Sequence, residues 1–159
     1  MQRLIILRHG DAEKARAGMD DFERGLTGEG RTEAARAGRL LADAGAVPGL
    51  ALVSDARRAR ETWEAAAAAF PGAEARFEHR LYNAPVSTLA KAAEEGLAEA
   101  STVILVGHNP GLHGLALDLA RHDGGQALGM GFPTGCAAVF AFEDGKPRFE
   151  RLIRGDAGA

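Results

Sequence analysis

The stretch Leu4-Ile5-Ile6-Leu7-Arg8-His9-Gly10-Asp11, near the start of the chain, decides how the rest of the sequence is interpreted. Its four apolar residues form a continuous run that is typical of a central strand covered on both faces. The polar residues follow directly, so we expect Arg8 and His9 to project from the carboxyl end of that strand. In open α/β sheets, ligands bind at this edge. The stretch therefore predicts both a parallel sheet and a functional site at its edge.

Similar apolar runs recur along the chain and alternate with longer amphipathic segments. This alternation predicts an α/β fold, a three-layer α/β/α sandwich whose central sheet is mostly parallel. Two further central strands are predicted at Leu50 to Val53 and at Thr102 to Val106. Helical periodicity occurs in four segments, which are residues 29–44, 57–70, 86–97 and 112–120. Two strand-like runs, 137–142 and 148–153, flank a turn-forming segment and predict a hairpin that adds an antiparallel edge strand.

Length, charge and cysteine content exclude several classes of protein. The 159 residues fit one domain, residues 1–159, which can bury a core without disulfides or metals. The net charge of −3, without a long basic stretch, gives no electrostatic footprint for nucleic acid. The apolar part of the N-terminus is too short for a signal segment or a bilayer span, so we expect a cytoplasmic protein with no membrane partner. A single cysteine, Cys136, allows neither an internal disulfide nor a multi-thiolate zinc site.

Two more polar clusters follow the other two predicted central strands. One is Gly107-His108-Asn109-Pro110-Gly111, whose Asn109 and Pro110 suit the N-cap and N1 positions of a helix that begins there. The other, Ser54 to Thr62, carries three arginines. Two histidines, at least two arginines and a helix N-terminus would thus meet at one edge of the sheet. Because guanidinium groups and backbone amides bind phosphate oxygens, the sequence predicts a phosphoryl pocket.

His9 is the candidate nucleophile of this pocket. Cationic neighbours disfavour protonation of an imidazole, so His9 should be neutral near pH 7 and keep a lone pair for attack on phosphorus. Such an attack would give a covalent phosphohistidine intermediate.

These clusters resemble the signatures of the histidine phosphatase superfamily, and those of its small SixA-type phosphohistidine phosphatases most closely. The signatures occur in order as Leu7-Arg8-His9-Gly10, Leu26-Thr27-Gly28-Glu29-Gly30, Ser54 to Thr62, and Val106-Gly107-His108-Asn109-Pro110-Gly111. Arg-His-Gly alone is a weak signal, whereas four motifs in this order and at these spacings are specific. The resemblance covers most of the chain and implies a phosphoglycerate mutase-like fold without a metal or another cofactor.

The resemblance also implies roles for individual residues. It makes His9 the phosphorylated nucleophile and places Arg8, Arg58 and His108 in the phosphate pocket. It extends the substrate contacts to Gly10 and Asn109.

Arg58, among three nearby arginines, takes the family position. It precedes Ala59 and lies four residues after Ser54 and four before Thr62. Arg57 and Arg60 are then expected on the helix surface.

One departure from the family bears on the substrate. Ester-cleaving relatives usually carry a glutamate in the segment that corresponds to Leu81-Tyr82-Asn83, and Asn83 stands here in place of the acid. An amide cannot donate a proton as an acid does, and the imidazole of a phosphohistidine is a far less basic leaving group than an alkoxide. The sequence therefore favours phosphohistidine as the substrate, although Asp11, Glu78 or another loop carboxylate could still supply a proton.

The chain has no long insertion that could close over a small metabolite. An open pocket suits a phosphoryl group carried by another protein. The expected partners are phosphorylated proteins of the histidine-containing phosphotransfer type. The alternative substrate is a small phosphomonoester cleaved by the same superfamily chemistry. A mutase is disfavoured because the missing acid and the short loops leave few groups that could retain and reorient a bisphosphate.

Two other classes of function are weighed against a phosphatase. His9, Asp11 and His108 could ligate a metal in a metallohydrolase, but Arg8 and Arg58 would repel the cation. A phosphate-binding module without turnover would be expected to lack His9 or His108, and both are present.

The remaining chemically active side chains are expected to have structural or surface roles. Cys136 has no arginine shortly after it and so does not match a cysteine phosphatase; it is expected in the core or at a strand end. Three histidines lack the arginine and glycine context of the site, and three acids fall in a predicted surface loop. The histidines are His79, His113 and His122, and the acids are Asp20, Asp21 and Glu23.

Overall fold

The computed structural model describes residues 1–121 and 125–156, and its framework is a single six-stranded sheet with helices on both faces. The strands are β1 (Gln2–Arg8), β2 (Leu50–Ser54), β3 (Glu74–Glu78), β4 (Thr102–Gly107), β5 (Cys136–Glu143) and β6 (Lys146–Arg154). The helices are α1 (Gly28–Asp43), α2 (Arg57–Ala66), α3 (Val86–Leu97), α4 (Gly111–Leu119) and α5 (Gly125–Gly129). Short 3₁₀ turns cover Asp21–Glu23, Ala67–Ala69 and His79–Leu81.

The order of the strands in the sheet is β3-β2-β4-β1-β5-β6. The first four strands are parallel, whereas β5 runs antiparallel to β1 and β6 antiparallel to β5. The three strands predicted as central, β1, β2 and β4, lie side by side. The predicted fold class, a mostly parallel α/β sandwich with an antiparallel edge, is confirmed.

Strand β1 shows why continuous apolar runs predict buried parallel strands. Alternate side chains of a strand point to opposite faces of the sheet. Ile5 and Leu7 belong to the core cluster under α1 and α2, whereas Leu4 and Ile6 belong to the cluster under α3 and α4. Because helices cover both faces of the sheet, every side chain of the run is buried, and each position therefore requires an apolar residue.

Two elements differ from the expectation. Strand β3 was not predicted, because its sequence Glu74-Ala75-Arg76-Phe77-Glu78 carries three charges, which suit an exposed edge but not an apolar run. Helix α2 ends at Ala66 rather than continuing to residue 70, and a 3₁₀ turn follows. Phe70 then leaves helical geometry (φ −132°) and stacks on Trp63, with ring centroids 6.1 Å apart. Tertiary packing of this ring therefore overrides the helix propensity of the alanine run.

The loop after β1 is packed tightly against the start of α1, and this contact requires glycine. A Cβ on Gly10 would overlap the carbonyl oxygen of Gly30, and a Cβ on Gly30 would overlap the carbonyl oxygen of Asp11. The backbone of residues 9–11 is thus fixed close to the first turn of α1. At the far end of the sheet, the β5–β6 hairpin turns at Asp144 and Gly145, which both have positive φ, as in a two-residue type I′ turn.

No helix in the described part of the chain has both the length and the apolar character that crossing a membrane would require.

Candidate active site

A cavity of about 430 Å³ opens at the carboxyl ends of β1, β2 and β4. It brings together five of the residues predicted from sequence, namely Arg8, His9, Arg58, His108 and Asn109. Residues that were not predicted for the phosphate pocket also line it, among them Asp11, Asp21, Arg24, Asn83 and Thr134. Three separate strand ends therefore meet at one site, as the positions of the motifs predicted.

Gly10 is a predicted substrate contact that does not line the cavity. Its amide nitrogen donates to Thr62 Oγ1 at 3.0 Å, and its carbonyl oxygen accepts from His9 Nδ1 at 2.7 Å. Both of its backbone polar groups are thus committed within the protein. Gly10 orients His9 from beneath the cavity instead of contacting the space where a substrate would bind.

His9 is held as a neutral imidazole with one committed nitrogen. A carbonyl oxygen can only accept, so Nδ1 carries the proton that is donated to Gly10, and Nε2 keeps its lone pair. The ring is buried. Burial and, to a smaller extent, the positive charges of Arg58 and Arg8 together lower the pKa of His9 from the ordinary value of 6.5 to about 4. Neutrality was predicted from the cationic neighbours, but burial is the larger cause.

The low pKa of His9 predicts how the imidazole titrates. In an NMR titration of the ring carbon-bound protons, the midpoint for His9 should lie near pH 4. The unfolded chain takes up this proton near pH 6.5, so folding stability should fall as the pH drops from about 6.5 towards 4. Thermal unfolding at pH values across that window, compared with His9→Ala, measures the effect, which should be smaller in the variant. A midpoint for His9 near 6.5 would contradict a buried neutral ring.

His108 faces His9 across the cavity, with ring centroids 5.4 Å apart. Its Nε2 lies 2.7 Å from Ser54 Oγ, which also accepts from the amide of Ala56 at 3.3 Å. Ser54 is fully buried, so its hydroxyl proton is satisfied when it is donated to His108 Nε2. His108 Nδ1 then carries the ring proton and acts as a donor. Burial lowers the pKa of His108 to about 3, with His9 and Arg58 as further causes.

Three buried donor nitrogens around the cavity have no hydrogen-bond partner in the described part of the chain: Arg8 Nε, Arg58 Nε and His108 Nδ1. The guanidinium groups are otherwise held by the protein. Arg8 Nη1 donates to the carbonyl of Phe132 at 3.1 Å, and Arg58 Nη1 donates to the carbonyl of Asp21 at 2.8 Å. Unpaired buried donors are costly unless a ligand satisfies them. Two guanidinium groups and an imidazole N–H fit an anion such as a phosphoryl group.

Asp21 lies in the site, contrary to its expected place in a surface loop. Its carboxylate accepts from Tyr82 Oη and Arg58 Nη2 on one oxygen and from Arg24 Nε on the other. The hydrogen bond from Tyr82, with those from Arg24 and Arg58, holds the pKa of Asp21 far below its usual range. Asp21 therefore fixes two arginines that line the cavity. Its partner Arg58 is distant in sequence, so no local pattern could have revealed the contact.

Asn109 lines the cavity and also supports the start of α4. Its Nδ2 donates to the carbonyl of Phe132 at 2.9 Å, and its Oδ1 accepts from the amide of His113 at 3.2 Å. The helix begins at Gly111, with Pro110 rather than Asn109 at the N-cap position. The Asn109 side chain nonetheless satisfies one of the free amides of the first turn. Asn83, at the position where the resemblance leads us to expect an acid, lines the cavity from a left-handed conformation with φ 47°.

Glu78 is one of the proposed proton donors and does not line the cavity. Its carboxylate instead forms an ion pair with Arg80 at 2.6 Å. The two neighbours of Arg58 are surface charges as expected: Arg57 pairs with Glu61 at 3.2 Å, and Arg60 donates to the carbonyl of Asp55.

The other reactive side chains have structural partners. His79 is exposed and pairs with Asp55 at 3.1 Å, and His113 Nε2 bonds to the carbonyl of Leu128 at 2.7 Å. Cys136 is buried at the start of β5, and burial raises the pKa of its thiol to about 11. His122 lies outside the described residues.

Asp20 and Glu23 flank Asp21 in its 3₁₀ turn, where the Asp20 side chain caps the turn by accepting from the amide of Phe22. Neither of them lines the cavity. Among residues 1–121 and 125–156, no three His, Cys, Asp or Glu side chains are grouped so that they could hold a metal ion. The alternative metal site at His9, Asp11 and His108 therefore lacks the ligand geometry it requires.

Comparisons with known proteins agree with this geometry. Residues 4–84 match the family model of the histidine phosphatase superfamily (branch 1). A crystal structure of the proposed phosphohistidine phosphatase SixA from Agrobacterium tumefaciens is 34% identical and superposes with a TM-score of 0.87, covering 96% of this chain and 97% of that one. The corresponding protein from Nakamurella multipartitia is 25% identical, with a TM-score of 0.84 and coverage of 96% and 95%.

A curated relative is an uncharacterized chloroplastic protein of Arabidopsis thaliana, which is 30% identical over 122 residues. The match covers 69% of this chain and 55% of the relative, so the chain spans about half the length of that protein. The matched family model, the SixA-like fold and the three motifs that meet at one cavity agree with one another, and the chain belongs to the histidine phosphatase superfamily, branch 1, with a SixA-like structure.

Proposed function

We propose that this protein is a metal-independent phosphatase that transfers a phosphoryl group to His9 and then hydrolyses the covalent phosphohistidine. The observation that carries the proposal is the state of His9. Its Nδ1 is committed to the Gly10 carbonyl, and its Nε2 keeps a lone pair inside a cavity lined by arginines. A neutral imidazole next to bound phosphate is a competent nucleophile.

The first step follows from the donors around His9. Arg8, Arg58 and His108 Nδ1 would bind the phosphoryl oxygens and stabilise the charge that they carry in the transition state. His9 Nε2 attacks phosphorus while the bond to the leaving group breaks in line. His9 keeps the proton on Nδ1, because that proton is bound to Gly10 throughout. The helix N-terminus at Gly111 adds further positive potential.

The substrate class is the finer part of the proposal. Asn83 occupies the wall of the cavity and cannot protonate an alkoxide leaving group. Asp21 also lines the cavity, but strong donors hold its carboxylate ionised. A site without a dedicated acid favours cleavage of a P–N bond, whose leaving imidazole is a weaker base than an alkoxide. We therefore propose phosphohistidine on a protein of the histidine-containing phosphotransfer type as the substrate.

A second candidate is cleavage of a small phosphomonoester. The observation that favours it is the Asp11 carboxylate, which lines the cavity beside His9 and could protonate an ester oxygen. The two candidates share the nucleophile and the phosphate pocket and differ only in the leaving group.

The experiment compares phosphate release from a phosphohistidine-bearing phosphotransfer protein with release from a panel of small phosphomonoesters, with a metal chelator present throughout. We expect kcat/KM to be at least about tenfold higher for the phosphohistidine protein, a difference of about 1.4 kcal/mol in transition-state binding. Preference for one ester would instead support the phosphomonoesterase. Loss of all activity in chelator would contradict the metal-independent mechanism, and phosphate binding without turnover would indicate a binding module.

A further inference from the structure

Asp11 is a carboxylate of the cavity wall that phosphoryl transfer from a phosphohistidine substrate to His9 does not use. Its backbone is fixed on both sides: the amide donates to Glu33 Oε1 at 2.8 Å, and the carbonyl accepts from the amide of Thr27 at 3.0 Å. One carboxylate oxygen, Oδ2, accepts from Thr27 Oγ1 at 2.8 Å. The other oxygen, Oδ1, has no hydrogen-bond partner within residues 1–121 and 125–156. The side chain is thus anchored, with one oxygen left uncommitted.

The groups that hold Asp11 in position reduce the stability of the fold unless they are well accommodated. Glu33 is only 5% exposed, and burial raises the pKa of its carboxyl group. Burial of a carboxylate is unfavourable unless the group is well hydrogen-bonded. Here the buried carboxylate of Glu33 accepts a hydrogen bond from the backbone amide of Asp11. Gly30 lets the carbonyl of Asp11 approach so closely that no Cβ would fit between them. Such support is typical of a side chain whose position matters for chemistry.

The second step of the proposed reaction needs a base. His9 keeps its proton on Nδ1, so the imidazole leaves phosphorus as a neutral group and requires no proton. The water that attacks phosphorus must, however, lose a proton as the new P–O bond forms. A group within hydrogen-bond reach of that water has to accept this proton.

Two other titratable groups of the cavity do not suit this role. Both oxygens of Asp21 are occupied by donors from Arg24, Arg58 and Tyr82. His108 accepts from Ser54 on Nε2 and carries its proton on Nδ1, which makes it a donor to the phosphoryl group.

We infer that Asp11 is the general base that activates water for hydrolysis of the phosphohistidine at His9. This inference rests on the proposed function. Asp11 Oδ1 takes a proton from water while the water oxygen bonds to phosphorus. The P–Nε2 bond breaks, and its electron pair returns to His9, which leaves as the neutral imidazole. The products are inorganic phosphate and a protonated Asp11, which releases its proton to solvent before the next turnover.

The test uses Asp11→Asn, which preserves size and can still accept the hydrogen bond from Thr27, and Glu13→Gln as the matched control. Glu13 lies in the same loop, is exposed, and its carboxylate has no bonded partner in the described residues. Radiolabelled phosphoramidate serves as the phosphoryl donor. The amount of alkali-stable, acid-labile label on the protein measures the intermediate, and phosphate release measures turnover.

We expect Asp11→Asn to lower kcat about a hundredfold or more while the labelled intermediate accumulates towards one phosphoryl group per chain. Because labelling requires a folded pocket, accumulation itself shows that the variant is intact. The kcat and the amount of labelled intermediate in Glu13→Gln should equal those of the unmodified protein. Unchanged kcat in Asp11→Asn, or a slow variant that accumulates no label, would overturn the role of Asp11. Absence of labelled intermediate in the unmodified protein, even on rapid quenching, would instead contradict the proposed function.

Discussion

Replacing His9 with alanine should reduce phosphate release by about ten-thousandfold or more, because no other group of the cavity offers a lone pair in the same position. Nε2 is the only ring nitrogen of His9 that is not committed to the backbone. The other cavity imidazole, His108, is held by Ser54 on Nε2 and carries its proton on the nitrogen that remains. It therefore cannot substitute as the nucleophile without losing the hydrogen bond from Ser54.

The measurement is kcat/KM for a phosphohistidine-bearing protein, together with acid-labile label on the enzyme after rapid quenching. His9→Ala should show neither turnover nor label, whereas His108→Ala should still be labelled, at a much lower rate. His79→Ala is the matched control, because His79 is exposed and, among the described residues, its side chain forms hydrogen bonds only with Asp55. Its activity should stay within about twofold of the unmodified protein, as for surface substitutions in general. Label that persists in His9→Ala would place the nucleophile elsewhere.

The sheet and the meeting of three motifs at its edge could be predicted because both follow from local patterns. Continuous apolar runs identify strands that are covered on both faces, and a polar residue directly after such a strand must emerge at its carboxyl end. Arg8, His9 and His108 were placed in this way. Strand β3 was missed for the opposite reason, since a charged edge strand has no pattern that distinguishes it from a loop.

Groups that act through long-range contacts could not be predicted. Asp21 meets Arg58 and Tyr82 only through tertiary structure, and its own sequence resembles an ordinary acidic loop. Ser54 was recognised only as part of a motif, and its hydrogen bond to His108 depends on how β2 lies beside β4. Gly10 was predicted to contact the substrate because of its place in the motif. The motif does not reveal that both backbone polar groups of Gly10 form hydrogen bonds within the protein.

Replacing Arg58 with alanine should lower kcat/KM by about a hundredfold to a thousandfold, the usual effect of removing one strong donor from a site of developing negative charge. Arg58 is 3% exposed and held by two hydrogen bonds to Asp21, so its guanidinium group is already positioned before substrate binds. Arg58→Lys should recover only part of the loss, because an ammonium group keeps the charge but not the planar fork. Inhibition by inorganic phosphate should weaken in both variants.

The neighbouring Arg57 provides a stringent control for this assignment. Both arginines lie in the first turn of α2 and carry the same charge, but the Arg57 side chain is 45% exposed and pairs with Glu61. Arg57→Ala should therefore leave kcat/KM and phosphate inhibition within about twofold of the unmodified protein, since exposed ion pairs contribute little. Equal losses in the two variants would mean that overall positive charge near the cavity, not the fixed guanidinium group of Arg58, controls activity. A large loss confined to Arg58 would show that its buried position and its contact with Asp21 make it the phosphate ligand.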